Sequence, residues 1–563
     1  MSGPALRMNF LEKIFAQLED AGGRAVLTEL HASGPRPASG TELLAQIATA
    51  RAFLRGAGLT RGDRCVLLAP NSVRWVALDL AILAEGLIAV PLYARQSPAE
   101  LAAMMRDAGP SLICCGDAAL RDAITAAWPD APRQVLFDEI FGGSRAASSP
   151  PERTPVRAAI FSPDVVAILY TSGTAGEAKG VMLAAGNLEH ILGCTTARLD
   201  LLMTDAKRPE RVFHYAPFCF AAAWILLLSC LLRESELKLN MDLARVAEDI
   251  SAASPDYFTN VPILLERMRT AIEQNIEMRG GIVAKIFSNA RASSMRRQAG
   301  RPWRFGWLWL FLANALIFPK IRKRFGSNLR AMLCGSAPLA RETQLFFMMS
   351  GIPVLQIYGL TETTAICTMD DPRHVEPGRV GPAISGIEMK LGEQDEILVR
   401  GPNIFPGYWN RPAQTAEVLR DGWFHTGDQG EVDEAGNWKI IGRLKNLIIL
   451  SSGHNIAPEP LEDELLRAIP GAQQVILAGN GRSYLSAIVT GSSAPEQIAS
   501  QIERINATLP HYRKIRKFHA EPQPCTIENG LLTANGKLKR DAIAARFAEE
   551  IERMYEKAAA QHS

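Results

Sequence analysis

With 563 residues, of which 47% are hydrophobic and 21% charged, the chain has ordinary globular composition and room for several domains, each able to bury a core. Its formal net charge of +2 provides no overall attraction to nucleic acid, so no such partner is expected and any electrostatic partner must be read from local clusters. Nine cysteines, odd in number and without CxxC or Cys/His spacing, read as reduced thiols of a cytosolic protein, and Met1–Arg7 lacks the apolar core of a secretory signal.

From Leu11 to about Pro150, amphipathic helical patterns alternate with short apolar strands. Residues 41–57 repeat apolar positions at helical spacing, 64–68 read as a strand, 75–85 as a helix, and 88–92 and 111–115 as further strands, which predicts βαβ units and a parallel sheet. A Gly/Ser/Pro-rich connection, 142–155, leads to the apolar strand Val165–Leu169. Residues 215–232 carry no charge and match the length of a membrane span, but Pro217 near the start and Ser229-Cys230 near the end favour a buried core helix.

Directly after Leu169 comes Tyr170-Thr171-Ser172-Gly173-Thr174-Ala175-Gly176-Glu177-Ala178-Lys179-Gly180-Val181. Glycines that turn N–H groups toward an anion, hydroxyls that donate further hydrogen bonds and a compact ammonium on Lys179 make this a phosphate-binding stretch. It is not a Walker A loop, because Ala178 and Gly180 flank the lysine; a Gly/Ser-rich hairpin turn is the alternative.

Between Arg291 and Arg330, basic residues flank Trp303, Trp307, Trp309 and the nearly all-apolar run Phe305–Phe318. That run is too short to span a bilayer; it suits an interfacial membrane contact, or else a helix packed on the core with solvated ends. Strands at 330–333 and 354–357 then lead into Gly335-Ser336-Ala337-Pro338-Leu339 and Tyr358-Gly359-Leu360-Thr361-Glu362-Thr363-Thr364, where α/β sheets bind ligands. Glu362 is a hard oxygen ligand suited to Mg²⁺ on nucleotide phosphates, although Thr and Glu there would also cap a helix. From Glu396 the pattern is β-rich, and Asp428, in a tight Thr426-Gly427-Asp428 turn, and Arg443 have the chemistry to hold a ribose. A domain boundary is expected near Lys445, giving residues 1–444 and 445–563, and the second part ends in a strongly basic Gly-bearing loop, 531–540.

In this order the motifs resemble the adenylate-forming superfamily of acyl-CoA synthetases, luciferases and nonribosomal adenylation domains. The carriers are 170–181, 335–339, 358–363, 426–428, 442–445, 451–458 and Gly536-Lys537; the insert between Val261 and Gly335 looks most like bacterial long-chain fatty acyl-CoA synthetases. The resemblance implies an α/β fold: a large domain of αβ-layered parallel sheets with a small β-barrel-like subdomain, then a small mobile α+β domain hinged at Lys445. It also implies ATP, Mg²⁺ and coenzyme A as cofactors, with a medium- or long-chain fatty acid, or a related lipophilic acid, as substrate.

By similarity, Thr171, Ser172, Gly173, Thr174, Gly176 and Lys179 hold the β- and γ-phosphates, and Thr361 and Glu362 address the α-phosphate and metal. Gly335, Ser336, Tyr358 and Gly359 border the adenine, and Asp428 and Arg443 fix the ribose. Lys537 bridges the carboxylate and the α-phosphate, Gly453 lines the acceptor's channel, and Phe220, Ala221, Trp224 and Val261 border the acyl chain. A carrier-protein phosphopantetheine in place of coenzyme A, and a nucleotide- and acyl-binding protein without turnover, are the alternatives. A cytoplasmic location is implied, with peripheral contact at the inner membrane face if 291–330 is interfacial. The sequence departs from the family at Ala175, where threonine is usual, at Ala178 (proline), at Ala185 (histidine) and at Phe220 (histidine), the last placing an aromatic ring beside the expected acyl pocket.

Overall fold

The computed structural model describes residues 9–142, 162–172, 178–204, 208–298, 300–533 and 536–556. Two large sheets form the N-terminal region. In one, strands Arg64–Leu68, Ile88–Leu92 and Leu112–Cys115 pair in parallel, as the alternating pattern predicts. Both faces of these strands are covered, so they are apolar throughout: Val66, Leu67 and Leu68 have no solvent exposure. Val165–Ser172 extends this sheet in parallel and then returns as Ala178–Ala184 in antiparallel register. The strands that flank the phosphate-type stretch therefore form a hairpin, and Gly173, Thr174 and Gly176 lie outside the described residues.

The other sheet has eight strands. Its central part runs Val354–Tyr358, Ala331–Cys334, Tyr257–Asn260, Glu210–His214, Ser235–Asn240 and Ala25–His31, all parallel to one another, with antiparallel strands Thr368–Met369 and Gly34–Ser39 at the two edges. Because they point the same way, the segments beginning at Tyr358, Gly335, Val261 and Tyr215 leave from one sheet edge.

Helix Ala221–Leu231 is buried on nearly every side, which accounts for its lack of charge. Among the described residues no helix is long and apolar enough to cross a membrane.

A five-stranded antiparallel sheet follows, built from Glu388–Leu391, Glu396–Arg400, Leu419–Arg420, Trp423–Val432 and Trp438–Arg443. Beyond the turn Leu444–Asn446, a three-stranded sheet (Ala472–Ala478, Leu485–Gly491, Ile515–Glu521) packs with helices Glu459–Ala468 and Pro495–Asn506 around its own core, including Leu465, Leu485 and Ile498. The architecture is α/β with a smaller α+β unit at the C-terminal end, as expected.

Candidate active site

Tyr358 ends its strand almost fully buried, and its hydroxyl donates to Asp428 Oδ2 at 2.9 Å. The Thr-Gly-Asp segment is not a turn between elements, as the sequence suggests, but a bulge inside strand Trp423–Val432. Glu396 and Leu398 span two positions on their strand while their partners Gln429 and His425 span four. Gly427 adopts φ +68 at the bulge, and Thr426 Oγ1 accepts from the Asp428 N–H at 3.0 Å. The extra residues re-aim Asp428 at Tyr358 while keeping it paired in register with Arg443, whose Nε lies 3.0 Å from Asp428 Oδ1. Burial raises the Asp428 pKa above the usual carboxylate range, with Arg443, the Tyr358 hydroxyl and Lys537 pulling in the opposite direction.

Lys537 reaches this cluster from the far end of the chain. Its backbone N–H donates to Thr533 Oγ1 at 3.0 Å, and two residues on, Lys539 Nζ contacts Glu100 Oε1 of the N-terminal region at 3.0 Å. Lys537 is exposed, yet crowding by the surrounding protein lowers its pKa below that of a free lysine. Arg443 and Lys445 add repulsion, while Asp428 and Glu362 favour the charged form. Lys537 is therefore close enough to Asp428, Glu362, Arg443 and Lys445 to feel their charges, and an anion there would offset its repulsion from the two cations.

Glu362 lies in the single helical turn Thr361–Thr363, followed by Thr364 at φ +52 and Ala365 at φ +76. Two consecutive non-glycine residues in the left-handed region are strained, and local hydrogen bonds hold them there. Thr364 Oγ1 donates to the Asn403 carbonyl at 2.8 Å, and Asn403 Nδ2 donates to the Thr363 carbonyl at 3.3 Å. Gly359 is required by this tightness, since a Cβ there would lie 2.2 Å from the Ala365 carbonyl oxygen. The Glu362 carboxylate accepts from the Tyr408 hydroxyl at 2.9 Å, and Lys179 Nζ stands 4.9 Å from the centre of the Tyr408 ring. Thr171 pairs in register with Lys179 across the hairpin.

Among the described residues no group of three or more His, Cys, Asp and Glu side chains could by itself hold a metal. A lone oriented carboxylate is nevertheless the donor set that fits Mg²⁺, which keeps several waters and shares its binding with substrate phosphates.

The structure does not gather every candidate. Gly335 and Ser336 start their loop beside Val261, the Gly335 N–H donating to the Asn260 carbonyl at 3.3 Å. The Phe220 ring, 5.7 Å from that of Tyr93, precedes helix Ala221–Leu231. Trp224 is different: it is wholly buried in the core, its Nε1 donating to Asp79 Oδ2 at 2.8 Å, so it faces the neighbouring helix Val73–Ala84 rather than open space. Ala221 packs in the same core. Gly453 lies in an exposed turn at φ +82, with open space around it. Lys445 sits in the turn after strand Trp438–Arg443, and burial and Arg443 lower its pKa. Tyr408 and Asn403 are site residues that sequence reasoning missed. Their only signal was Gly407-Tyr408-Trp409 soon after Gly401-Pro402, which reads as an ordinary loop.

The AMP-binding enzyme family model matches residues 15–409, and that of the AMP-binding enzyme C-terminal domain matches 445–559. The long-chain-fatty-acid CoA ligase FadD15 of Mycobacterium bovis is 29% identical over 553 residues, covering 91% of each chain. Long chain acyl-CoA synthetase 3 of Arabidopsis thaliana is 27% identical, covering 90% of this chain and 84% of its own. The structure of O-succinylbenzoate coenzyme A synthetase from Bacillus subtilis in complex with AMP superposes with a TM-score of 0.72 at 20% identity, covering 95% of this chain and 98% of that one.

Proposed function

From the premise that this chain belongs to the AMP-binding enzyme family, we propose that it activates a medium- or long-chain fatty acid, or a related lipophilic acid, with ATP and transfers it to coenzyme A. The observation that carries this reading is that, from separate stretches of chain, Lys179 and Glu362 meet at Tyr408, Asp428 pairs with Arg443, and Lys537 feels the charges of Asp428, Arg443 and Glu362. An acid and a triphosphate are both anions, and their approach needs fixed positive charge between them. In the first step a carboxylate oxygen of the acid bonds to the α-phosphorus, and the bond to the pyrophosphate oxygen breaks. In the second, a thiolate bonds to the acyl carbon and AMP leaves with the bonding electrons.

In this scheme Lys537 neutralises the approaching carboxylate and α-phosphate. Lys179, with Thr171 and the loop residues Ser172–Gly176, steadies the departing pyrophosphate. Asp428 accepts from ribose hydroxyls, Arg443 holds the Asp428 carboxylate, and Gly335, Ser336, Tyr358 and Gly359 form the adenine wall. Thr361 and Glu362 sit by the α-phosphate, and Glu362 would hold Mg²⁺, which when bound offsets phosphate charge. Positioning and charge suffice, since phosphoryl-type transfer asks little covalent help of the protein.

The chain divides at Lys445 in this proposal, supported by the turn at 444–446 and by the separate core beyond it. A lipid contact through 291–330 also belongs to it. Phe305, Trp307 and Phe311 are 59%, 66% and 63% exposed on or beside helix Gly306–Leu316. Arg296, Arg297, Arg301, Arg304, Lys320, Lys323 and Arg324 are exposed around them, and no acidic residue occurs between Glu277 and Glu342, a combination suited to an anionic bilayer surface.

Pyrophosphate release with Mg·ATP and acids of increasing length tests the first step, and coenzyme A consumption tests the second. Acid-dependent release with one preferred length range is expected; no release with any acid would overturn the enzymatic reading.

A further inference from the structure

Tyr408 lies between Glu362 and Lys179, a place that none of the motifs assigns. Its hydroxyl donates to Glu362 Oε1 at 2.9 Å, and the face of its ring receives the Lys179 ammonium at 4.9 Å, within the range of a cation–π contact. One side chain therefore touches both the carboxylate that would meet the metal and the cation that would meet the outer phosphates. A carboxylate has no proton to give, so the hydroxyl is the donor and the carboxylate its acceptor.

The backbone fixes the side chain in this position. Gly407 to Trp409 lies along the phosphate hairpin as an extra edge segment: the Met182 N–H donates to the Gly407 carbonyl at 3.2 Å, and the Trp409 N–H donates to the Gly180 carbonyl at 2.7 Å. Tyr408 forms an antiparallel bridge with Val181, two residues from Lys179. The Tyr408 N–H donates to Thr415 Oγ1 at 2.9 Å, and Phe405 packs edge-on against the ring at 4.9 Å, so neither its backbone nor its ring plane is free to turn. Arg411 adds an anchor, 2.8 Å from Asp107, which itself accepts from the Tyr170 hydroxyl on the hairpin at 2.8 Å.

We propose that Tyr408 is a positioning residue that couples the two halves of the phosphate site, its hydroxyl orienting Glu362 toward the metal and its ring orienting Lys179 toward the leaving pyrophosphate. The inference rests on the roles proposed above for Glu362 and Lys179. It separates the two functions chemically. Tyr408→Phe keeps the ring and removes only the bond to Glu362, whereas Tyr408→Leu removes both. A hydrogen bond to a charged group shifts an equilibrium on the order of tenfold.

The test is calorimetric binding of a non-hydrolysable ATP analogue to the full-length protein, with and without Mg²⁺. Tyr408→Phe is expected to lose about tenfold of the Mg²⁺-dependent gain in affinity while its metal-free affinity stays within about twofold of the parent. Tyr408→Leu is expected to weaken metal-free binding as well, and Tyr408→Phe combined with Glu362→Gln should do no more than Glu362→Gln alone. Equal losses with and without Mg²⁺ in Tyr408→Phe, or multiplying losses in the double variant, would overturn the proposal, and melting temperatures identify a variant that has merely unfolded. If Tyr408→Leu is unfolded, the Phe variant and its double still decide the Glu362 half. If Glu362→Gln by itself leaves the Mg²⁺ effect intact, the failure lies in the role given to Glu362.

Discussion

Asp79 shows how far burial can move a single group. It has no solvent exposure, one oxygen accepts from Trp224 and the other has no partner among the described residues, and burial pushes its pKa from an ordinary 3.8 up to about 7. Folding then takes up a proton that the unfolded chain gives away between those values. The resulting stability is full below the unfolded value and is lost as pH rises through about 7. Asp79→Asn keeps an acceptor for Trp224 without the charge, so between pH 5 and 8 it should lose less stability than the parent, by on the order of 3 kcal/mol. Urea unfolding of both proteins across that range checks this; parallel curves would rule Asp79 out as the source. A different property is proposed for Phe220. Its ring stacks obliquely on Tyr93 at the mouth of the expected acyl pocket, so Phe220→Ala should move the preferred acid toward longer or bulkier chains. An unchanged length profile in a folded variant would place the pocket elsewhere.

At the scale of elements, the insert helix Gly306–Leu316 has an inverted outer face. Gly306 and Ala313 are buried and Trp309 packs against the core, while Trp307 and Phe311 project outward. The sequence presents Trp307 and Trp309 as equivalent, but only Trp307 is available to a lipid surface. Trp307→Ser with Phe311→Ser is therefore expected to reduce binding to anionic vesicles severalfold, with the remaining attraction falling further as salt screens the arginines. Co-sedimentation at low and high salt measures both effects, and no binding of the parent at low salt would leave this face without a lipid partner.

For the molecule as a whole, the placement of Lys537 raises the question of movement. Ion pairs that join the C-terminal unit to the rest include Lys539–Glu100 at 3.0 Å and Arg467–Glu266 at 3.9 Å, exposed enough to contribute little each. A swing about the turn at Lys445 would carry Lys537 out of the cleft and bring another face of the small unit, including the open turn at Gly453, toward it. Lys537→Ala should then nearly abolish adenylate formation while sparing thioester formation from supplied acyl-adenylate. Lys445→Pro should do the reverse, because a fixed φ restricts the pivot. Equal loss of both half-reactions in a folded Lys537→Ala protein would make Lys537 a structural residue.

The sequence alone determined the motifs whose chemistry is local. The glycines and hydroxyls of 170–181 and the Thr361-Glu362 pair are legible from residues adjacent in the chain, whereas Asp428, Arg443 and Lys537 stand out only through the order of the motifs and the family resemblance it carries. It also determined the alternation of strands and helices, since hydrophobic period is a short-range signal. Three matters needed the tertiary structure. Strand Ala25–His31 pairs on one side with the adjacent strand Gly34–Ser39 but on the other with the distant Ser235–Asn240, Gly407–Trp409 docks on the phosphate hairpin and brings Tyr408 between Lys179 and Glu362, and Trp224 and Trp309 turn inward while Trp307 turns outward. In each case the outcome depends on which distant segment covers a given edge or face, and a residue's type and near neighbours specify the need for burial or a partner but not the segment that supplies it.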